Sequence, residues 1–228
     1  MQKILLLHGA VGAQDHLQPL ADLLSDRYEV LRFLFSGHGG KSFSQEDFSI
    51  PFFAEEVRSY LNEQHLSSLP IVGYSMGGYV AMHLARKHPE QVTKIVTLAT
   101  KFHWDEETAA KEIKMLHADK IEEKLPAFAQ TLQNRHAPND WKRVLTKTQE
   151  MLTEMGKENP LQLSDYAAID IPCLLTLGDR DKMISLAETR EVFTALPHAR
   201  MAVLPGTQHP IEQTNVEALA FLIKQFIG

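Results

Sequence analysis

Cys173 is the only cysteine in the chain, so no intramolecular disulfide can form, and it sits in the apolar run CLLTL, where a small buried hydrophobe is expected. A reducing compartment follows, and the cytoplasm is the expected location. Long hydrophobic runs are missing as well. The opening MQKILLLHG has one lysine followed by four apolar residues, too few for a secretory core segment or a bilayer span, and it reads as a strand. Basic residues are not in excess: Lys and Arg number 23 against 29 Asp and Glu, a net charge of -6. With no long run of either cation, nucleic acid and anionic membranes are set aside as partners. A small-molecule substrate remains, and the oligomeric state is left open. Repeats and low-complexity tracts are absent. His8, His38, His83, His88 and His117 show no metal-ligand spacing with a second ligand, so they read as surface or core-edge histidines. Neither a metal nor a cofactor is expected.

What is present is an ordinary globular composition, 44% hydrophobic and 23% charged over 228 residues, enough for one large domain with a sizeable core. Short β-branched and apolar runs occur at 3–7, 29–35, 70–74, 94–99, 173–177 and 201–205. Helical patterns lie between most of them, at 14–26, 51–64, 76–87, 185–195 and 213–227. Strands alternating with helices imply right-handed βαβ units. The expected fold is therefore α/β, a doubly wound, mostly parallel sheet of about six strands with helices on both faces. In such sheets ligands collect at the carboxyl ends of the strands.

One interval breaks the alternation. Between the fourth and fifth strands lie more than 70 residues rich in Ala, Glu, Lys, Leu and Met, punctuated by Pro126, Pro138 and Gly156. Asn139 or Asp140 can cap the helix that starts at WKRVLTKTQEMLTEM. The expectation is a single domain over 1–228 with residues 102–165 inserted as a lid of three helices over the carboxyl edge.

Ser75 stands where the third strand ends and a helix begins, within IVGYSMGGYV. A serine on so sharp a strand-to-helix turn projects its hydroxyl from the sheet, and only glycine fits where strand and helix approach, at Gly73 and Gly77. GYSMG is thus a G-x-S-x-G nucleophile elbow, with a structural turn serine as the plainer alternative. The free N–H of Met76 at the helix start, and that of Ala10 in the LLLHGAVG turn, can stabilise an oxyanion. The serine needs a base, and the base needs an orienting acid. His209 in VLPGTQHP follows the last strand, whereas His198 precedes it and lies at the wrong end. Asp181 in LGDRD follows the fifth strand. Asp179 competes with it but directly follows the strand-end Gly178 and more naturally caps the turn. The order Ser75, Asp181, His209 is the one a strand–elbow hydrolase requires.

These pieces, LLLHG, GHGGKS, VGYSMGG, HPEQV, IPCLLTLGDRD and PGTQHP, resemble the α/β-hydrolase superfamily over nearly the whole chain outside the insert. The resemblance implies Ser75 as nucleophile, His209 as base, Asp181 as its partner, and the Ala10 and Met76 amides as the oxyanion hole. Two departures stand out. The family usually opens with an antiparallel hairpin before its HG strand, for which there is no room here, so a trimmed sheet of six parallel strands is expected. Before GHG the family often carries Asp and Pro, where this chain has Leu34 and Ser36.

GHGGKS also ends like a phosphate-binding loop, but the glycine that such a loop needs five residues before Gly40 is Phe35. The nucleotide reading fails. For the substrate pocket the candidates are Tyr79, Phe102, Trp104, Trp141 and Met183, alongside other helical aromatics and methionines that could equally be core packing. No Arg or Lys is marked by position to grip a carboxylate or phosphate. The expected activity is a serine hydrolase acting through an acyl-enzyme on a small to medium, mainly apolar carboxylic ester or related acyl compound. Two alternatives stay open: the same triad used for C–C cleavage, a lyase step or perhydrolysis, and a sensor or interaction protein on a hydrolase scaffold.

Overall fold

The computed structural model describes residues 1–228. Two of its strands, β3 (Leu69–Tyr74) and β5 (Cys173–Gly178), are buried at every position, which requires cover on both faces of the sheet. β1 (Gln2–Leu7) and β4 (Val92–Leu98) are buried over their last four residues. Partly exposed residues run through β2 (Tyr28–Phe33) and β6 (Ala199–Leu204), as suits edge strands. All pairings are parallel, in the order β2-β1-β3-β4-β5-β6. The expected six parallel strands are therefore present. Burial at Cys173 pushes its thiol up to about 12, which leaves it inert.

Side-chain alternation along the strands sorts the helices into two layers. Leu5, Leu7, Ile71, Ile95 and Leu175 point to one face and pack with α2 (Ile50–Glu63), α3 (Met76–Lys87) and α9 (Leu186–Ala195). Ile4, Leu6, Val72, Val96 and Leu174 point to the other, under α1 (Gln18–Leu24) and α10 (Val216–Ile227). Every residue of α3 from Met76 to Ala85 is buried. That helix is thus clamped from all sides, and so is the turn that feeds it.

The segment between β4 and β5 holds five helices rather than three: α4 (Glu106–Ile113), α5 (Ala118–Lys124), α6 (Pro126–His136), α7 (Trp141–Lys157) and α8 (Leu163–Ala167). Pro126 opens α6 at its first position, where a missing N–H costs nothing, so it starts a helix rather than merely separating two. Asp140 caps α7 through the Lys142 N–H at 2.9 Å. Gly156, expected from the sequence as a break, lies inside α7, and it is glycine because a Cβ there would come within 2.6 Å of Ala109 Cβ on α4. The two helices approach closely enough there that only glycine fits. No helix is long and apolar enough to cross a membrane.

Candidate active site

At the end of β3 the backbone of Ser75 turns to φ 50° and ψ -117°, a region that costs a non-glycine residue about 1–3 kcal/mol. The surroundings hold it there. Ser75 N–H donates to Leu98 O at 2.8 Å, and its carbonyl accepts from Gly78 N–H and Thr100 Oγ1, each at 3.0 Å. A Cβ at Gly73 would lie 2.4 Å from the Gly77 carbonyl, and one at Gly77 would lie 2.4 Å from Leu7 O. Both glycines are needed because β1, β3 and α3 converge too closely for any side chain.

Beside this elbow the chain leaves β1 through His8 and Gly9 into a tight turn closed by Gly12 N–H to Gly9 O at 3.2 Å. Its third residue, Val11, has φ 50°, an outlier for a β-branched side chain. The Ala10 N–H has no backbone acceptor, nor does that of Met76 at the first position of α3. Both Ala10 and Met76 line the cavity that contains Ser75. His8 is fully buried, contrary to the surface or core-edge expectation. Its Nε2 accepts from Phe35 N–H at 3.3 Å, so Nδ1 carries the hydrogen given to Gly9 O at 2.8 Å. Burial lowers its pKa to about 3, and the ring acts as a neutral brace beneath the turn. His38 is also fully buried. Only His117 among the five is freely exposed.

The ends of β5 and β6 bring Asp181 and His209 together, with Oδ2 of the first 2.8 Å from Nδ1 of the second. The other carboxylate oxygen accepts from Met183 N–H at 2.8 Å and Ile184 N–H at 2.9 Å. Burial works to raise the Asp181 pKa, but the hydrogen bonds from His209, Ile184 and Met183 outweigh it and hold the carboxyl below its usual range. Asp181 therefore both caps the turn and meets the histidine. The capping role expected of Asp179 is not seen; that side chain only approaches Arg180, at 3.9 Å. Tyr74 Oη donates to the His209 carbonyl at 3.1 Å, tying the histidine loop to the strand before the elbow. His198 instead pairs with Asp170 at 3.0 Å on the exposed opposite side. Ser75 and His209 line the same cavity, though no hydrogen bond is closed between them.

That cavity, about 320 Å³, lies between the sheet edge and helices α4, α6 and α7. Tyr79, Trp104 and Met183 line it as expected, together with Met76, Met115, Met151 and Met155. Two expected residues do not. Phe102 turns away from its neighbour Lys101 and packs edge-on against Tyr166, with ring centroids 5.6 Å apart. Trp141 is buried with Ile121, Ala129, Leu132 and Leu145 in a separate core among the helices. The α7 residues that line the cavity begin at Thr148, roughly two turns and 10 Å further along the helix. The site also holds charge that position in the sequence did not mark. Lys101 and Glu112, 3.4 Å apart with side chains only 13% and 5% exposed, line its wall. Arg135, 3.2 Å from Asp15, lines it as well. Each cation is held by a carboxylate; Lys101 comes from the turn three residues beyond β4, whereas Arg135 is brought to the cavity by the packing of α6.

The descriptor "Alpha/beta hydrolase family" belongs to a sequence model that matches residues 4–220. The chain belongs to the alpha/beta hydrolase family. One relative is a pimeloyl-[acyl-carrier protein] methyl ester esterase of Neisseria meningitidis serogroup C, 27% identical over 248 residues that cover 100% of this chain and 94% of the relative. Another is a 2-(acetamidomethylene)succinate hydrolase of Mesorhizobium japonicum, 22% identical over 98% of this chain and 87% of its own. Among solved structures, an enol-lactonase from Burkholderia xenovorans LB400 superposes with a TM-score of 0.81 at 18% identity, covering 99% of this chain and 90% of that one. At such identity the last likeness speaks to this alpha/beta hydrolase's fold alone.

Proposed function

We propose that the protein is a serine hydrolase that cleaves a carboxylic ester or related acyl bond through an acyl-enzyme on Ser75. The observation that carries this reading is the 2.8 Å Asp181–His209 contact opening onto the same cavity as the strained Ser75. Ionised Asp181 keeps the imidazole hydrogen on Nδ1, so Nε2 is free to take the serine proton as Oγ attacks the carbonyl carbon. The oxyanion forms against the N–H groups of Ala10 and Met76. Protonated His209 then gives its proton to the leaving alkoxide, and a water activated by the same nitrogen releases the acid. The serine–histidine hydrogen bond closes in the reactive complex, as is common for sites that are loose when empty.

The cavity supports a small to medium, mainly apolar substrate, since about 320 Å³ lies at the small end of ligand pockets. Its five methionines, Met76, Met115, Met151, Met155 and Met183, are unbranched and adaptable, as an acyl chain requires. Residues 102–165 act as a lid that excludes water and limits substrate size. That a relative is named an ester hydrolase favours ester cleavage over C–C cleavage, a lyase step or perhydrolysis on the same residues.

The test is kcat/KM across p-nitrophenyl esters of rising acyl length. Turnover is expected to peak at a short to medium chain, to fall for the longest, and to vanish in Ser75→Ala. A folded wild-type protein inert toward the whole series would contradict the reading.

A further inference from the structure

The turn that presents Ala10 has a physical difficulty. It is closed from Gly12 to Gly9, with positive φ at its third residue only. That is the turn type that calls for glycine or asparagine at the third position, and this chain places Val11 there. A β-branched residue does not hold such a conformation on its own preference. Something outside the turn must hold it.

The only side chain that hydrogen-bonds to Val11 comes from 125 residues away. His136, the last residue of α6, is fully buried, and its Nε2 lies 3.1 Å from Val11 O. Its Nδ1 accepts from Gly39 N–H at 3.1 Å, so the hydrogen must sit on Nε2 and Val11 O must accept it. The imidazole is thus fixed in one neutral tautomer by two backbone partners, and burial lowers its pKa to about 4. A second contact from the same link is separate: Asn139 Nδ2 donates to Gly37 O at 3.1 Å and Lys41 O at 2.7 Å, docking the α6–α7 connection without touching residue 11.

We propose that His136 is a positioning residue for the oxyanion loop. Its Nε2–H holds the Val11 carbonyl, which keeps the strained turn in place and with it the Ala10 N–H. The inference rests on the acyl-enzyme reading of the same site. It adds a role for the helical segment beyond cover: one of its helices maintains half of the oxyanion hole.

Asparagine and glutamine separate the two bonds of His136. An Asn side chain places its oxygen near the histidine Nδ1 and can keep the Gly39 bond. Gln places its amide nitrogen near Nε2 and can keep the Val11 bond. The readouts are kcat and KM for p-nitrophenyl hexanoate, and the second-order rate at which a hexyl fluorophosphonate labels Ser75, followed by intact mass. His136→Asn is expected to lower kcat and the labelling rate together by about 10- to 100-fold, the cost of a misplaced transition-state donor, with KM within about twofold. His136→Gln is expected to stay within about threefold of wild type. Asn139→Ala should lower stability and leave kcat unchanged. Equal losses in the Asn and Gln variants, or no loss in either, overturn the proposal. A kcat loss of about tenfold or more in Asn139→Ala also overturns it, since docking would then be the cause, and that criterion is read against wild type and so holds even if the His136 variants fail to fold. Because labelling needs no ester, a wild type that is labelled but turns over no ester contradicts the substrate reading and leaves this test standing.

Discussion

Ser75, Asp181 and His209 stand one, three and five residues beyond the ends of β3, β5 and β6, whereas the cavity residues from Trp104 to Met155 lie on helices and links that no strand register positions. At the sheet edge, parallel pairing sets where each strand ends, and a short turn does the rest. Over the edge, each helix takes its place from packing against its neighbours, as Gly156 against Ala109 or Trp141 inside its own small core show. Changes at the edge should therefore remove chemistry and spare the fold. Changes among the helices should alter stability or selectivity and spare the chemistry, except at His136, the one helical residue proposed to hold the oxyanion turn.

Asp181→Asn should show the largest effect, a fall in kcat of about 10⁴-fold with the fold intact, because an amide leaves the imidazole without the partner that fixes its tautomer. Asp179→Asn, whose side chain only approaches Arg180, should cost less than about tenfold. A greater loss at Asp179 in steady-state kinetics would reverse the assignment. Next is Trp141→Ala. Emptying a buried site in the helical core should cost about 3–5 kcal/mol in denaturant unfolding, with the acyl-length profile of the surviving protein unchanged. A shifted profile would return Trp141 to the pocket.

Acid sharpens the comparison further, because one buried histidine at the sheet edge, His8, and one that ties α6 to that edge, His136, are held neutral in the fold. His8 and His136, lowered to about 3 and about 4, take up protons in the unfolded chain below about pH 6.5 but not in the folded one. Their effect on stability is nil above pH 6.5 and becomes increasingly unfavourable as pH falls, reaching up to about 3 kcal/mol for His136 by pH 4. Replacing His136 by Gln should make the fall in urea-unfolding free energy between pH 6.5 and 4 shallower without abolishing it, since burial also lowers His8, His38 and His83; an equally steep curve would place the sensitivity elsewhere. The smallest effect is expected from Met151→Ala, which enlarges the pocket and should shift kcat/KM toward longer acyl chains by about tenfold. An unchanged ratio of long to short esters would remove Met151 from the acyl site.

This contrast also explains what the sequence made legible. The elbow glycines, the strand-end Asp181 and the loop His209 were readable because each is local: a motif of five residues or a position just past a strand. The number of strands and their parallel direction followed from alternation of elements; their order across the sheet did not. The helices gave themselves away as helices, but not their number, because the link at 114–117 carries no glycine or proline and the five-residue α8 is too short to show a period. Phe102 and Trp141 were misplaced since helical and strand periodicity says which residues face inward, not which interior they face. His136, Glu112 and Arg135 left no sequence signal, since their partners lie at separations of 11 to 125 residues; Lys101 stood at a legible position three residues past β4, but nothing local marked its turn into the cavity.

The central claim is that Ser75 is the covalent nucleophile, and intact mass after treatment with a fluorophosphonate tests it most directly. The wild-type protein should gain one phosphonyl group, recovered on the peptide that contains Ser75, and Ser75→Ala should gain none under the same conditions. Full labelling of the Ser75→Ala protein, or a wild-type label recovered on another residue, would contradict it.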